Sequence, residues 1–409
     1  MQKVRSKTFG CAVYVRDDLS LVILPSLFSY SISRSGSYYV SQKKINKNGF
    51  VANTMELKDA TLKTRRMVED KLGNFLEWVE KYSEGRIGGD GLNLANHHNA
   101  DTSILNSYIN DVLIAERGAS TGSAVQHIMA LNAYYNYLAV TGFTDAKSLM
   151  IFADMKEIAR ANEIPRTAVK YLTPELRSIL YRNAPSIRDE LLLKTAGELG
   201  VRSKENLGFL VEDFFVGNSR YPGLKSLFER AERNPKQQEF EYFLQGKYSK
   251  SKRRKGGESR VLFIHRDLLL RMRDYYINER PDIKNKSFFV NAAPGSYGTS
   301  IAENRATKVF EKIKRVVLRK QENGLLPERG QELDKNHSYH VLRHSFGTDM
   351  FFGLADGRGV RYDDVVSTSQ VYLTVAALMG HSAADGSAPK TTAQYIRSCH
   401  LKTKYMQDI

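Results

Sequence analysis

Hydrophobic positions change their period along this chain. Residues 11–48 hold short β-prone runs, Ala12-Val13-Tyr14-Val15 and Leu21-Val22-Ile23-Leu24, and Tyr38, Tyr39 and Val40 follow a Gly/Ser turn. Two or three strands are predicted there. From about Thr61 the spacing becomes helical: Met67, Leu72, Phe75, Leu76 and Val79 form one apolar stripe. Residues 85–101, rich in Gly, Asn and His, read as a loop with His97 and His98 exposed to solvent. Residues 104–116, 123–140 and 147–163 read as three further helices, with Ser123 as an N-cap. The simplest account is a four-helix unit over about 60–163. Tyr134, Tyr135 and Tyr137 then read as helix-packing material rather than a platform for stacked bases.

Residues 164–172, which include Pro165, look like an interdomain linker. Thr173 is placed to cap a new helix, with Pro174 at its first position. Beyond it the pattern is mixed. Helices flank a β region in which 239–244 and 260–264 resemble paired strands joined by a very basic turn. After a Gly/Ser/Pro-rich loop ending near Gly298 the pattern is helical again. No internal repeat or low-complexity tract is present.

Composition narrows the class. A chain of 409 residues suits two or three domains. Its 61 Lys and Arg against 45 Asp and Glu leave a formal charge of +16, which favours a polyanionic partner. Nucleic acid and an anionic membrane surface both satisfy that argument. No run of roughly 18 apolar residues exists to span a bilayer, and residues 1–10 lack the apolar core of a signal peptide. Cys11 and Cys399 are the only cysteines, too few for a disulfide framework or a Cys-rich zinc module. A soluble, reducing, cytoplasmic setting is the expectation.

Metal-free cleavage of a phosphodiester needs guanidinium groups to hold the charge of the transition state, a nucleophile in line, and an acid for the leaving oxygen. The C-terminal half offers such a set. Leu193 to Arg202 leads into Ser203-Lys204-Glu205-Asn206-Leu207; the turn Lys252-Arg253-Arg254-Lys255-Gly256-Gly257 precedes Arg260-Val261-Leu262. Then come His340-Val341-Leu342-Arg343-His344-Ser345-Phe346-Gly347-Thr348, Leu378-Met379-Gly380-His381 and Thr391-Thr392-Ala393-Gln394-Tyr395.

That order of Arg, Lys, His-X-X-Arg, Gly-His and Tyr resembles the catalytic set of the tyrosine recombinases, the family of phage integrases and the Xer-type and Cre-type enzymes. The resemblance covers roughly 172–397, and the helical unit before it resembles the family's core-binding domain. It implies that Arg202 and Arg343 clamp the scissile phosphate and that Tyr395 attacks it, giving a 3′-phosphotyrosine and a free 5′-hydroxyl. It implies Lys255 as general acid, with Lys252 in the same turn as the competing choice. His340 would assist proton movement, His381 would hydrogen-bond the phosphate, and Glu205 would support the site without reacting. The covalent link preserves the phosphodiester energy, so no cofactor and no metal is expected. His340 and His344, four apart on a helix, could ligate zinc, but that reading leaves Arg343 without a purpose. Tyr405, the other tyrosine near the end, lacks the context of Tyr395.

Two departures from the family pattern stand out. Val341 occupies a position where the family often has Asp, a matter of packing more than chemistry. The His381 to Tyr395 segment is long, with residues 385–390 resembling an insertion; that bears on how Tyr395 reaches the site, in cis or in trans. The short tail after Tyr395 is expected to limit exchange of C-terminal elements between protomers.

The expected fold is therefore mainly α with a small β-sheet. A β-rich N-terminal extension (1–58) precedes a helical core-binding domain (59–163), a linker (164–172) and an α+β catalytic domain (173–409). The family implies double-stranded DNA as partner, a tetramer on DNA, association with the nucleoid, and integration or excision of a mobile element. A DNA-bending accessory protein is a further partner to consider; a membrane is not. Two rivals keep the fold and change the function: a relative that binds and bends DNA without cutting, and a type IB topoisomerase that relaxes one duplex. Intact Arg202, Arg343 and Tyr395 argue against the first, and the core-binding unit against the second.

Overall fold

Alternating burial makes strands of the first residues. β1 (Gln2–Arg5) pairs antiparallel with β2 (Ala12–Val15), Gln2 opposite Val15, and Ala12 and Tyr14 point inward. The computed structural model describes residues 1–45, 51–84, 91–163, 170–249, 258–327, 330–357, 359, 368–381, 399 and 402. They fall into two units, Met1–Pro165 and Arg166–Ile409.

In the first unit the run from Leu21 to Leu24, expected as a strand, instead opens a helix, α1 (Ile23–Ser35). Pro25 lies in its first turn, where a missing N–H costs no helical bond, and Phe28, Ser29 and Ile32 face the core. β3 (Ser37–Ile45) and β4 (Val51–Asp59) form a hairpin with Ser37 opposite Asp59, so Tyr38, Tyr39 and Val40 do extend. α2 (Leu62–Glu84) buries Val68, Leu72, Phe75, Leu76 and Val79. α3 (Thr102–Ser107) runs into a π-helical stretch, Tyr108–Glu116. α4 (Thr121–Val140) is capped by Ser120, whose side chain accepts from the Ser123 N–H, and not by Ser123.

The fourth expected helix is shorter, α5 (Ala153–Ala161). The reason is two asparagines. Asn106 bonds Ser148 O and Met150 N, and Asn110 bonds Met150 O and Phe152 N, at 2.9 to 3.1 Å. Side-chain amides thus take backbone groups that a helix would have used.

His97 is buried rather than exposed. Its Nε2 lies 2.7 Å from the Tyr134 hydroxyl, and the Tyr135 hydroxyl donates to its carbonyl at 2.7 Å. Tyr134 and Tyr135 are core residues, as their spacing implies. Residues from β2, α1 and β3 share one hydrophobic core with α2 and α4. The buried Glu69 of α2 fastens this arrangement, accepting from Arg5, from the Ala12 N–H and from Ser29.

In the second unit, Thr173 caps α6 (Pro174–Arg182) as its local sequence implies, its hydroxyl accepting from Leu176 N. Tyr171 and Leu172 are buried within this unit. α7 (Ile187–Leu199) follows, capped by Ser186 and carrying Asp189 and Glu190 in its first turn. A short 3₁₀ helix (Ser203–Gly208), the hairpin β5 (Phe214–Val216) and β6 (Ser219–Tyr221), and α8 (Leu224–Arg233) come next. β7 (Glu239–Leu244) pairs antiparallel with β8 (Arg260–His265), Leu244 opposite Arg260, as the sequence suggests. α9 (Arg266–Asn278), α10 (Arg305–Glu322), α11 (His340–Asp356) and α12 (Gln370–Leu378) complete it. The architecture is mainly helical with small two-stranded sheets. Lys252, Lys255 and Tyr395 lie outside the described residues. Among those described, no helix is long and apolar enough to cross a membrane.

Candidate active site

The site starts at the end of α7. Gly200 adopts φ +63° and turns the chain out of the helix; a Cβ there would lie 2.6 Å from the Phe346 ring and 3.1 Å from the Met379 sulfur. Only glycine meets both demands without strain. Two residues on, Arg202 caps the 3₁₀ helix, and its N–H donates to Glu205 Oε2 at 2.8 Å. Asn206 fixes the same segment from below. Its Oδ1 accepts from Thr195, and its Nδ2 donates to the Tyr339 hydroxyl, which in turn donates to Leu192 O.

Glu205 is fully buried and receives donors from three elements. Arg202 Nη1 lies 2.8 Å from Oε1; Arg260 reaches Oε1 at 3.0 Å and Oε2 at 2.8 Å as a two-pronged fork; Ser249 donates to Oε1 at 2.6 Å. Arg343 Nη1 stands 3.7 Å from Oε2. Burial pushes the carboxyl up, but the Arg260 hydrogen bonds and the charges of Arg260, Arg343 and Arg202 outweigh it. They hold Glu205 well below the usual carboxylate range.

Arg343, on the first turn of α11, is buried, with 1% of its side chain exposed. Its guanidinium donates to Gly200 O and Met379 O, and Nη2 lies 3.4 Å from His381 Nε2. His381 is set by the end of α12, where its N–H donates to Ala376 O at 2.8 Å and Gly380 takes φ +58°. Burial, then the charges of Arg343, Arg202 and Arg260, lower the His381 pKa to about 3, so its imidazole is neutral at pH 7. His344, one turn along α11 from His340, is likewise lowered to about 3 by burial and by neighbouring cations. His340 is exposed, its ring 4.7 Å from that of His344.

Four of the residues singled out from sequence therefore converge: Arg202, Glu205, Arg343 and His381. His340 lies beside them. Two further residues belong to the cluster and escaped the sequence reading, Arg260 and Ser249. Their signal was position: they flank the basic turn between β7 and β8. Among the described residues no group of three metal-ligating side chains is present. Three guanidiniums about one carboxylate give the cluster a positive balance, suited to an oxyanion with several oxygens.

The solved structures similar to this chain are tyrosine recombinases and integrases. One is the Tn1549 transposon integrase in complex with circular intermediate DNA, at 14% identity and TM-score 0.45, covering 94% of this chain and 99% of that one. A second is XerA recombinase, at 15% identity and TM-score 0.35, covering 84% and 92%. A third is a lambda integrase dimer bound to a COC′ core site, at 13% identity and TM-score 0.40, covering 82% and 89%. No family model matches the sequence, and no curated protein does.

Proposed function

We propose that this protein is a tyrosine-type site-specific recombinase that cuts and rejoins DNA strands through a 3′-phosphotyrosine. The observation that carries the reading is the cationic cluster around Glu205. Arg202, Arg260 and Arg343 arrive from three elements of the second unit and share one buried carboxylate. A neutral imidazole adjoins them. Such a preorganised group stabilises a pentacoordinate phosphorane as its charge develops, and pays the ordering cost during folding rather than during reaction.

In this mechanism Arg202 and Arg343 take the nonbridging oxygens. His381, uncharged, shares a hydrogen bond with the phosphate. Tyr395 attacks in line and Lys255 protonates the leaving 5′-oxygen. His340 accepts the tyrosine proton. Rejoining reverses these roles on a second strand. Duplex DNA would be the partner, with the +16 charge tracking its phosphates. Four protomers would exchange strands between two sites, for integration or excision of a mobile element.

The test is a nicked suicide duplex taken from the end of the DNA element that carries the gene, incubated with wild type and with Tyr395→Phe. A denaturant-resistant protein–DNA adduct in wild type alone is the expected result. Tight binding without an adduct would replace the reading with a DNA-binding one. An adduct that persists in Tyr395→Phe would transfer the nucleophile to another tyrosine.

A further inference from the structure

We infer that Arg260 is a positioning residue of the phosphate-binding site, acting on Arg202 through Glu205; the inference rests on the recombinase reading above. Both terminal nitrogens of Arg260 are committed to Glu205, one to each carboxylate oxygen. Arg202 by contrast gives Glu205 one terminal nitrogen and leaves 23% of its side chain exposed. A planar fork fixes a carboxylate in rotation as well as in place. Glu205 in turn fixes Arg202 twice, by its backbone N–H and by its guanidinium. Arg202 therefore points where Arg260 makes Glu205 point.

The same guanidinium also braces the histidine. A Cβ at Gly380 would stand 2.6 Å from Arg260 Nη1 and 3.3 Å from Cζ, so the backbone leading to His381 packs closely against it. Arg260 thus touches both halves of the site from behind: the carboxylate under Arg202 and the turn that carries His381.

Loss of Arg260 has an electrostatic consequence with a readable sign. Glu205 is faced by Arg202 on its own segment, by Ser249 and Arg260 beside the basic turn, and by Arg343 and Tyr339 around the start of α11. Among the charges, Arg260 supplies the principal hydrogen bonds that keep the carboxylate ionised against burial. Without it the Glu205 pKa rises, and the acidic limb of the cleavage profile moves to higher pH.

The experiment measures adduct formation on the nicked duplex across the acidic and neutral range, for wild type, Arg260→Met, Arg260→Lys, Arg202→Ala and the Arg260→Met/Arg202→Ala double variant. Expected is a loss of about 100-fold in Arg260→Met, the scale of a misplaced catalytic group. DNA binding should be retained and the acidic limb raised. Arg260→Lys keeps the charge without the fork; it should melt close to wild type and recover part of the rate, which keeps the test open if Arg260→Met folds poorly. In the Arg202→Ala background, removing Arg260 should cost less than tenfold more, because both changes act through one group. Additive losses with an unmoved acidic limb would overturn the inference and make Arg260 an independent contact. A wild type that forms no adduct would overturn the recombinase reading first, and the inference with it.

Discussion

Two buried glutamates, one in each unit, show what separates a structural carboxylate from one at a site. Glu69 takes a single guanidinium, from Arg5, and spends its remaining capacity on the Ala12 N–H and the Ser29 hydroxyl. Charge and hydrogen bonds close within that cluster. Glu205 takes contacts from three guanidiniums and one hydroxyl. There the charge does not close among the described residues, and a positive surplus remains. Burial of an ionised residue says little by itself; the ratio of opposite charges around it says more.

The largest effect expected from this contrast is on stability. Glu205→Ala leaves three guanidiniums facing one another without their shared counter-ion, and should cost about 3–5 kcal/mol in denaturant unfolding. A variant as stable as wild type would mean that the arginines rearrange freely. Next is Arg343→Lys, which keeps the charge but cannot hold two carbonyls and a phosphate in one plane. Adduct formation should fall roughly 10²–10³-fold while gel-shift binding changes little.

Acid comes third. His344 and His381 are held neutral at about 3, and His97 and His127 of the first unit at about 4, all below the ordinary 6.5. The unfolded chain binds protons at these positions before the folded one does. Stability is therefore full above about pH 6.5 and declines as pH falls toward the folded values, by roughly 1–2 kcal/mol per histidine between pH 7 and pH 5. Site-resolved titration sharpens the comparison: bound DNA phosphate should raise the His381 pKa, since arginine charge contributes to its depression, and leave His97 where it is. The smallest effect is Glu69→Gln, about 1 kcal/mol given the part-exposed Arg5, with cleavage unaltered.

Much of this was legible in the sequence, for identifiable reasons. Thr173-Pro174 announces a helix start by local chemistry alone, and the strands 239–244 and 260–264 show their own alternation. Arg202, Glu205, Arg343 and His381 stand in motifs whose order survives without the fold. Arg260 was not legible because one more cation behind a basic run reads as a phosphate-tracking charge; only Glu205, distant in sequence, gives it a different task. His97 was misread for the same reason: its partner Tyr134 lies on another helix. At Leu21–Leu24 a short apolar run fits either period, and core packing of Phe28 and Ile32 decided for helix.

The carbonyls that hold Arg343 belong to Gly200 and Met379, the cap residues just past α7 and α12. Each helix end carries about half a negative charge from its aligned peptide dipoles, so two ends together offset most of one buried guanidinium. The cation is aimed by where two helices stop, with the Glu205 carboxylate 3.7 Å away as its counter-charge. One residue added within either helix would swing its terminus by about 100° and withdraw a carbonyl. Side chains along α7 and α12 can therefore change within the limits of packing, but their lengths cannot.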